Sequence, residues 1–303
     1  MRILLTGSNG LLGQKLVKLL AGKNDVELIA TSTGKNRTPF TDGYTYHSLD
    51  ITSQNEVNEV FNKFNPEVVI NTAAMTNVDA CESQQEQCWE LNVNAVKNLI
   101  AASEKHNTHL IHFSTDFVFD GENGPYKETD QPNPLSYYGK SKHESEKLVQ
   151  QANIKWSIVR TIIVFGVVDD MSRSNIVLWA KEALAKGNPL TIVNDQFRSP
   201  TLAEDLAMGT WLIAQKKATG IFHISGKETM SIIDLVYKVA DFYGYNKSII
   251  TPIASSSLNQ AAKRPPKTGF ILDKAIRELG YNPCSFIEGL AIVDAQLKKV
   301  VQK

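Results

Sequence analysis

A glycine-rich turn between an apolar strand and an amphipathic helix constrains this chain more than any other feature. Thr6-Gly7-Ser8-Asn9-Gly10-Leu11-Leu12-Gly13 follows directly on the apolar stretch 2–5, and a helical pattern over 12–21 follows in turn. Gly7 permits the tight reversal, Gly10 lets a phosphate approach backbone N–H groups, and Gly13 lets helix and strand pack closely. A pyrophosphate would then rest on the positive end of the helix beginning near Leu11. Alone, such a turn is equally an ordinary flexible loop. Its place at the first strand of a βαβ series is what points to a dinucleotide.

Six further strand-like stretches, 26–31, 45–49, 68–71, 109–113, 156–161 and 221–225, alternate with helical patterns at 56–64, 86–105, 141–151 and 202–214. Most of the strands are rich in Val, Ile or Leu, as strands covered on both faces of a parallel sheet are. The alternation predicts an α/β fold with a Rossmann-type doubly wound parallel sheet. After Thr161 the pattern loosens. Helical stretches at 175–185, 231–243 and 287–300 enclose strand-like 190–193 and 249–253, and Arg264-Pro265-Pro266 breaks any regular element. These pieces predict a smaller, discontinuous α/β substrate domain. Residues 1–165 plus 198–226 are the expected dinucleotide-binding domain, and 166–197 plus 227–303 the expected substrate-binding domain. Ligands of open α/β sheets bind outside the carboxyl ends of the strands, so the site is expected between the two.

Composition removes several function classes. The 32 basic and 32 acidic residues cancel, so no whole-chain field favours nucleic acid or an anionic membrane. No apolar run approaches a membrane span, and the stretch 3–5 is too short for a signal-peptide core. Cys81, Cys88 and Cys284 are an odd, sparse set, unlike a disulfide scaffold. The expectation is a cytoplasmic protein with neither nucleic acid nor membrane as partner.

The cofactor is read from the end of the second strand. NAD-preferring sites usually offer Asp or Glu about 20 residues past the glycine turn. Here Thr31-Ser32-Thr33 precede Lys35 and Arg37, with no carboxylate to repel a 2′-phosphate. NADPH is therefore expected, with Ser32 and Arg37 among its contacts and NADH as the alternative. Otherwise Lys35 and Arg37 are solvated loop charges. Asp50 is a candidate partner for the adenine amino group, or a plain turn or cap residue.

The chemistry is read from Tyr138-Gly139-Lys140-Ser141-Lys142, which puts a phenol and an ammonium four residues apart on one helix face. A free phenol, with pKa of about 10, is a poor acid–base group near neutrality, and a neighbouring ammonium favours its ionised form. Phe113-Ser114-Thr115-Asp116 closes the fifth strand, where hydroxyls point toward the crevice and can hydrogen-bond a substrate carbonyl. Thr115 is the preferred contact and Ser114 the runner-up. Each motif alone is also ordinary capping or a surface helix pair. Their order along matching elements is what specifies an enzyme.

The glycine turn and the Tyr138/Lys142 pair resemble the extended short-chain dehydrogenase/reductase superfamily. Asn71-Thr72-Ala73-Ala74-Met75-Thr76-Asn77-Val78-Asp79, Ser114-Thr115-Asp116-Phe117-Val118-Phe119-Asp120-Gly121 and Asp195-Gln196-Phe197-Arg198-Ser199-Pro200-Thr201 resemble more closely the dTDP-4-dehydrorhamnose reductase family. That resemblance implies NADPH-dependent reduction of the C4 keto group of a nucleotide-linked 4-dehydro-6-deoxy sugar, dTDP-4-dehydro-L-rhamnose to dTDP-L-rhamnose. It implies Thr115, Tyr138 and Lys142 as the catalytic set. Cofactor contacts would come from Gly7, Asn9, Gly10, Leu11, Asp50, Ile51, Ala73, Ala74 and Asn92, and substrate contacts from Thr76, Asp116, Gln196, Phe197 and Arg198. The chain departs from the family at Phe117, commonly Tyr, and at Ile163, where a substrate-side Trp stands. Some members use an acidic residue near the first helix for Mg²⁺; this helix begins Leu12-Gly13-Gln14-Lys15.

Other features carry less. His106, His109 and His112 form a short tract, but His109 and His112 fall on opposite strand faces, so no protein-bound metal is expected there. Trp89, Trp156, Trp179 and Trp211 are expected in core or helix packing. Lys263, Arg264 and Lys267 are either solvated charges or a diphosphate contact. Helices over 86–105 and 141–151 offer faces for a homodimer. Two other functions fit the same motifs: a nucleotide-sugar epimerase or dehydratase, and a cofactor-binding regulatory subunit without catalysis.

Overall fold

The computed structural model describes residues 1–171 and 174–301; residues 172–173 and 302–303 of the expected substrate domain lie outside the described residues. Strands run β1 Arg2–Thr6, β2 Glu27–Ser32, β3 Thr45–Ser48, β4 Val68–Asn71, β5 His109–Thr115, β6 Trp156–Thr161, β7 Val164–Phe165, β8 Leu190–Val193, β9 Phe197–Arg198, β10 Thr201–Leu202, β11 Gly220–His223, β12 Met230–Ser231 and β13 Ile250–Ile253. Helices are α1 Leu11–Leu20, α2 Gln54–Phe64, α3 Val78–Ser83, α4 Gln85–Trp89, α5 Ala95–His106, α6 Tyr137–Gln151, α7 Ile176–Ala185, α8 Ala203–Lys216, α9 Ile232–Tyr243 and α10 Phe286–Val301.

Seven strands form one parallel sheet in the order β11-β6-β5-β4-β1-β2-β3. This is the doubly wound arrangement, with its switch point between β1 and β4. Alternate side chains of the central strands enter two different apolar layers. Ile3 and Leu5 pack with Leu16, Leu20 and Trp211, beneath α1 and α8. Leu4 turns the other way and packs with Phe61, Val96, Leu99 and Val149, beneath α2, α5 and α6. A third cluster, built on Val177, Ile192, Leu235, Val236, Ile250 and Leu290, joins α7, α9 and α10 to the β8–β13 pair. Among the described residues no helix is long and apolar enough to cross a membrane.

Three differences from expectation stand out, the first two with local causes. Helix α6 begins at Tyr137, four residues before the expected start, because the Ser136 hydroxyl accepts from Gly139 N at 3.1 Å and caps it. The helix expected over 86–105 is divided by a π-turn at Glu90–Asn94, which carries Asn92 inward. Trp179 lies 44% exposed on α7, whereas Trp211 is buried in the core.

Candidate active site

The carboxyl ends of β1, β4, β5 and β6 open into a cavity of about 580 Å³. That volume suits a cofactor-sized ligand. Its floor on one side is the glycine turn. Gly7 has φ +71°, and a Cβ there would sit 2.7 Å from Thr72 Oγ1 and 2.8 Å from Ala73 N. At Gly13 a Cβ would overlap the Gly7 carbonyl oxygen. The N-cap of α1 is Gly10, which supplies no side-chain cap, and the first turn holds no acidic residue, so the helix's amide end is open toward the cavity. The buried Ser8 hydroxyl beside it has no hydrogen-bond partner. These features fit an anionic diphosphate.

The turn also fixes the loop after β2. Asn9 Nδ2 donates to Lys35 O at 2.9 Å, and Arg37 N donates to Asn9 Oδ1 at 2.9 Å. Ser32 lines the cavity, while the Lys35 and Arg37 side chains are exposed outside it. Asp50 and Ile51 line the wall; Asp50 Oδ1 also accepts from Thr52 N and Thr52 Oγ1. Ala73, Ala74 and Thr76 line the opposite wall. Asn92 does not reach the cavity. Its amide is bonded both ways to the Met75 backbone and to Ser141 Oγ, so it staples the 73–76 loop to α6.

Thr115, Tyr138 and Lys142 all line the cavity. The N-cap of α6 puts Tyr138 in the helix's first turn and Lys142 one turn further on. The Tyr138 ring packs edge-on against Phe117 at 5.8 Å, with the Thr115 hydroxyl beside its phenol. Thr115 Oγ1 accepts from Phe117 N at 3.2 Å and donates to Asp116 Oδ1 at 3.1 Å. Burial pushes the phenol well above its ordinary value; the neighbouring Thr115 hydroxyl opposes this, and Asp116, Cys81 and Cys88 add to it. Burial brings the Lys142 ammonium down to about 8, against the pull of Glu146, which favours the charged form. Lys142 Nζ lies 3.4 Å from His112 Nε2, and His112 is itself held by Asn71 and Ser145.

Asp116 lines the cavity, buried to 2% exposure. Its carboxyl is raised by burial, while Arg198 and the bonds from Thr268 and Thr115 hold it down. Arg198 stays outside the lining. Its guanidinium donates to the carbonyls of Phe197, Pro265 and Pro266 and lies 3.5 Å from Asp116 Oδ2. Gln196 and Phe197 are likewise absent from the lining, so this segment meets the cavity through Asp116. Arg264 is paired with Asp79, its Nη2 2.6 Å from Asp79 Oδ2.

Two features had no motif. The Thr161 hydroxyl, opposite Thr115 at the end of β6, lines the cavity without any hydrogen-bond partner, as does that of Ser114, the runner-up from the strand-end motif. The rule that ligands gather at strand ends was the available signal for Thr161. Ile163, also in the lining, has φ +32°, a strained conformation for a β-branched residue that sequence does not reveal.

The family described as RmlD substrate binding domain matches residues 1–298. The dTDP-4-dehydrorhamnose reductase of Aggregatibacter actinomycetemcomitans is 32% identical over 306 residues, covering 97% of this chain and 98% of that protein. The methionine adenosyltransferase 2 subunit beta of Danio rerio is 33% identical over 269 residues, covering 87% and 80%. The solved dTDP-4-dehydrorhamnose reductase of Bacillus anthracis, in complex with NADP, superposes with a TM-score of 0.82 at 26% identity, covering 97% of this chain and 99% of that one.

Proposed function

The chain belongs to the dTDP-4-dehydrorhamnose reductase family, and from that premise we propose that it reduces the C4 keto group of a nucleotide-linked 4-dehydro-6-deoxy sugar with NADPH. It is an NAD(P)-dependent oxidoreductase. The observation carrying the finer reading is the convergence of Thr115, Tyr138 and a buried Lys142 on one cofactor-sized cavity. We assign cofactor binding to the sheet unit, 1–165 plus 198–226, and sugar binding to 166–197 plus 227–303.

Bound nicotinamide would supply the hydride. Gly7, Asn9, Gly10, Leu11 and Gly13 would hold the diphosphate; Ser32, Arg37, Asp50 and Ile51 the adenosine half; Ala73 and Ala74 the wall beside it. Thr115 would hold the carbonyl oxygen. Tyr138, whose raised pKa keeps it protonated, donates its proton to the alkoxide as it forms. The Lys142 ammonium stabilises the phenolate left behind. Thr76 and Asp116 face the sugar, with Gln196, Phe197 and Arg198 behind them and Asn92 holding the 73–76 loop in place.

Two expectations follow. Lys142 is charged below about pH 8 and neutral above it, so kcat/KM for reduction should fall on the alkaline side of that value. A profile flat to pH 10 would remove Lys142 from this role. The second concerns the cofactor. The Asn9 bonds hold Arg37 beside the glycine turn, and on an exposed loop a guanidinium–phosphate pair gives about ten-fold preference for NADPH over NADH. Arg37→Ala should erase most of it in a fluorescence titration. Equal dissociation constants in the wild type would reduce both cations to loop decoration.

The Danio rerio likeness keeps a second reading open, a cofactor-binding subunit that regulates another enzyme. Multiple-turnover assays separate the alternatives. A reductase consumes NADPH in step with the keto sugar, and an epimerase or dehydratase returns it. A regulatory subunit consumes none and is recovered with a partner enzyme.

A further inference from the structure

We infer that the Lys15 ammonium is this protein's built-in cation, tying α1, α8 and α10 together and leaving no place among them for a divalent metal. Lys15 Nζ lies 2.9 Å from Glu204 Oε1 and 2.9 Å from Gln296 Oε1. The Gln296 amide closes the triangle by donating to the same Glu204 oxygen at 2.6 Å. The donor set is thus one carboxylate and one neutral amide. Mg²⁺ asks for octahedral oxygen ligation, usually with one or two carboxylates and several retained waters. Here the single carboxylate charge is already matched by the ammonium, and an arriving ion would meet a like charge. Among the described residues no group of three His, Cys, Asp and Glu side chains could hold a metal. The Mg²⁺ that the family resemblance implies near this helix does not fit these residues.

The position gives the triangle its use. Helix α1 carries the amide end that faces the cavity, and Glu204 stands in the first turn of α8. Helix α10 belongs to the third apolar cluster through Leu290 and Val293. Lys15 therefore fastens the helix of the glycine turn to a segment 281 positions away in the chain. An ammonium does this without depending on the metal content of its surroundings.

Thermal unfolding of the purified protein tests this without substrate. The wild type should melt at the same midpoint, within about 1 °C, in EDTA and in millimolar MgCl₂. Lys15→Met keeps the aliphatic stem and should lower the midpoint by about 5 °C in both buffers. Lys15→Glu combined with Gln296→Glu gathers three carboxylates, and its lowered midpoint should rise when Mg²⁺ is added. A wild-type midpoint that falls in EDTA or rises with Mg²⁺ would overturn the inference, as would a Lys15→Met midpoint equal to wild type. A folded double variant indifferent to Mg²⁺ would overturn it too. The first two measurements decide whether or not the double variant folds.

Discussion

Tyr138→Phe is expected to cut turnover by roughly a hundred- to ten-thousand-fold, the usual cost of a lost general acid, while the NADPH dissociation constant stays near wild type. The ring of Phe fills the same space against Phe117, Cys81 and Cys88, so packing is preserved. What disappears is the phenolic hydroxyl beside Thr115. Single-turnover kinetics with a saturating keto sugar, beside a fluorescence titration with NADPH, separate the two quantities. Near-full turnover would take the proton-donor role away from Tyr138.

The second large effect is on stability. Arg160 and Glu146 form a bidentate pair at 2.9 and 2.6 Å, with side chains only 2% and 0% exposed. Arg160 lies on β6, next to the edge strand β11, with its guanidinium over the Phe119 ring, and its Nη1 already lacks a partner. Glu146→Ala strands that buried guanidinium, which should cost about 3–5 kcal/mol. Replacing both residues with apolar ones of similar volume should cost much less than the two single changes added together, because the desolvation penalty leaves with the charges. Urea unfolding of the two single variants and the pair measures this directly. A single-variant loss below about 1 kcal/mol would mean that water reaches the pair and screens it.

The pair also links stability to chemistry. Glu146 sits one helical turn beyond Lys142 and helps keep its ammonium charged against burial. Removing the carboxylate should therefore move the alkaline limb of the rate profile to lower pH as well as weaken the fold.

What could be read from the residues follows the range of the interactions involved. The glycine turn, the strand ends and Tyr138/Lys142 are local patterns, and each lines the cavity. Most strands of the sheet carry their own apolar signature, since burial on both faces leaves little room for polar side chains; the edge strand β3, Thr45–Ser48, does not. The start of α6 was misplaced because its signal is one capping serine in a run of loop-like residues. Asn92 and Arg198 carry no mark that separates a ligand contact from a strut. Only the bonds to Met75, and to the carbonyls at 265 and 266, show what each one holds. The strained Ile163 and the meeting of Lys15 with Gln296 depend on tertiary closure. No local pattern encodes either.

The central claim is that this cavity delivers a hydride to a sugar carbonyl, and isotope transfer tests it most directly. NADPH deuterated at nicotinamide C4, on the face the enzyme uses, is incubated with dTDP-4-dehydro-L-rhamnose and the product is examined by proton NMR. The account predicts one deuterium at sugar C4 for each NADPH oxidised, with the C4 proton signal of the product lost in proportion. A deoxysugar product without deuterium at C4, or labelled cofactor recovered unchanged on both faces beside unreacted keto sugar, would contradict it.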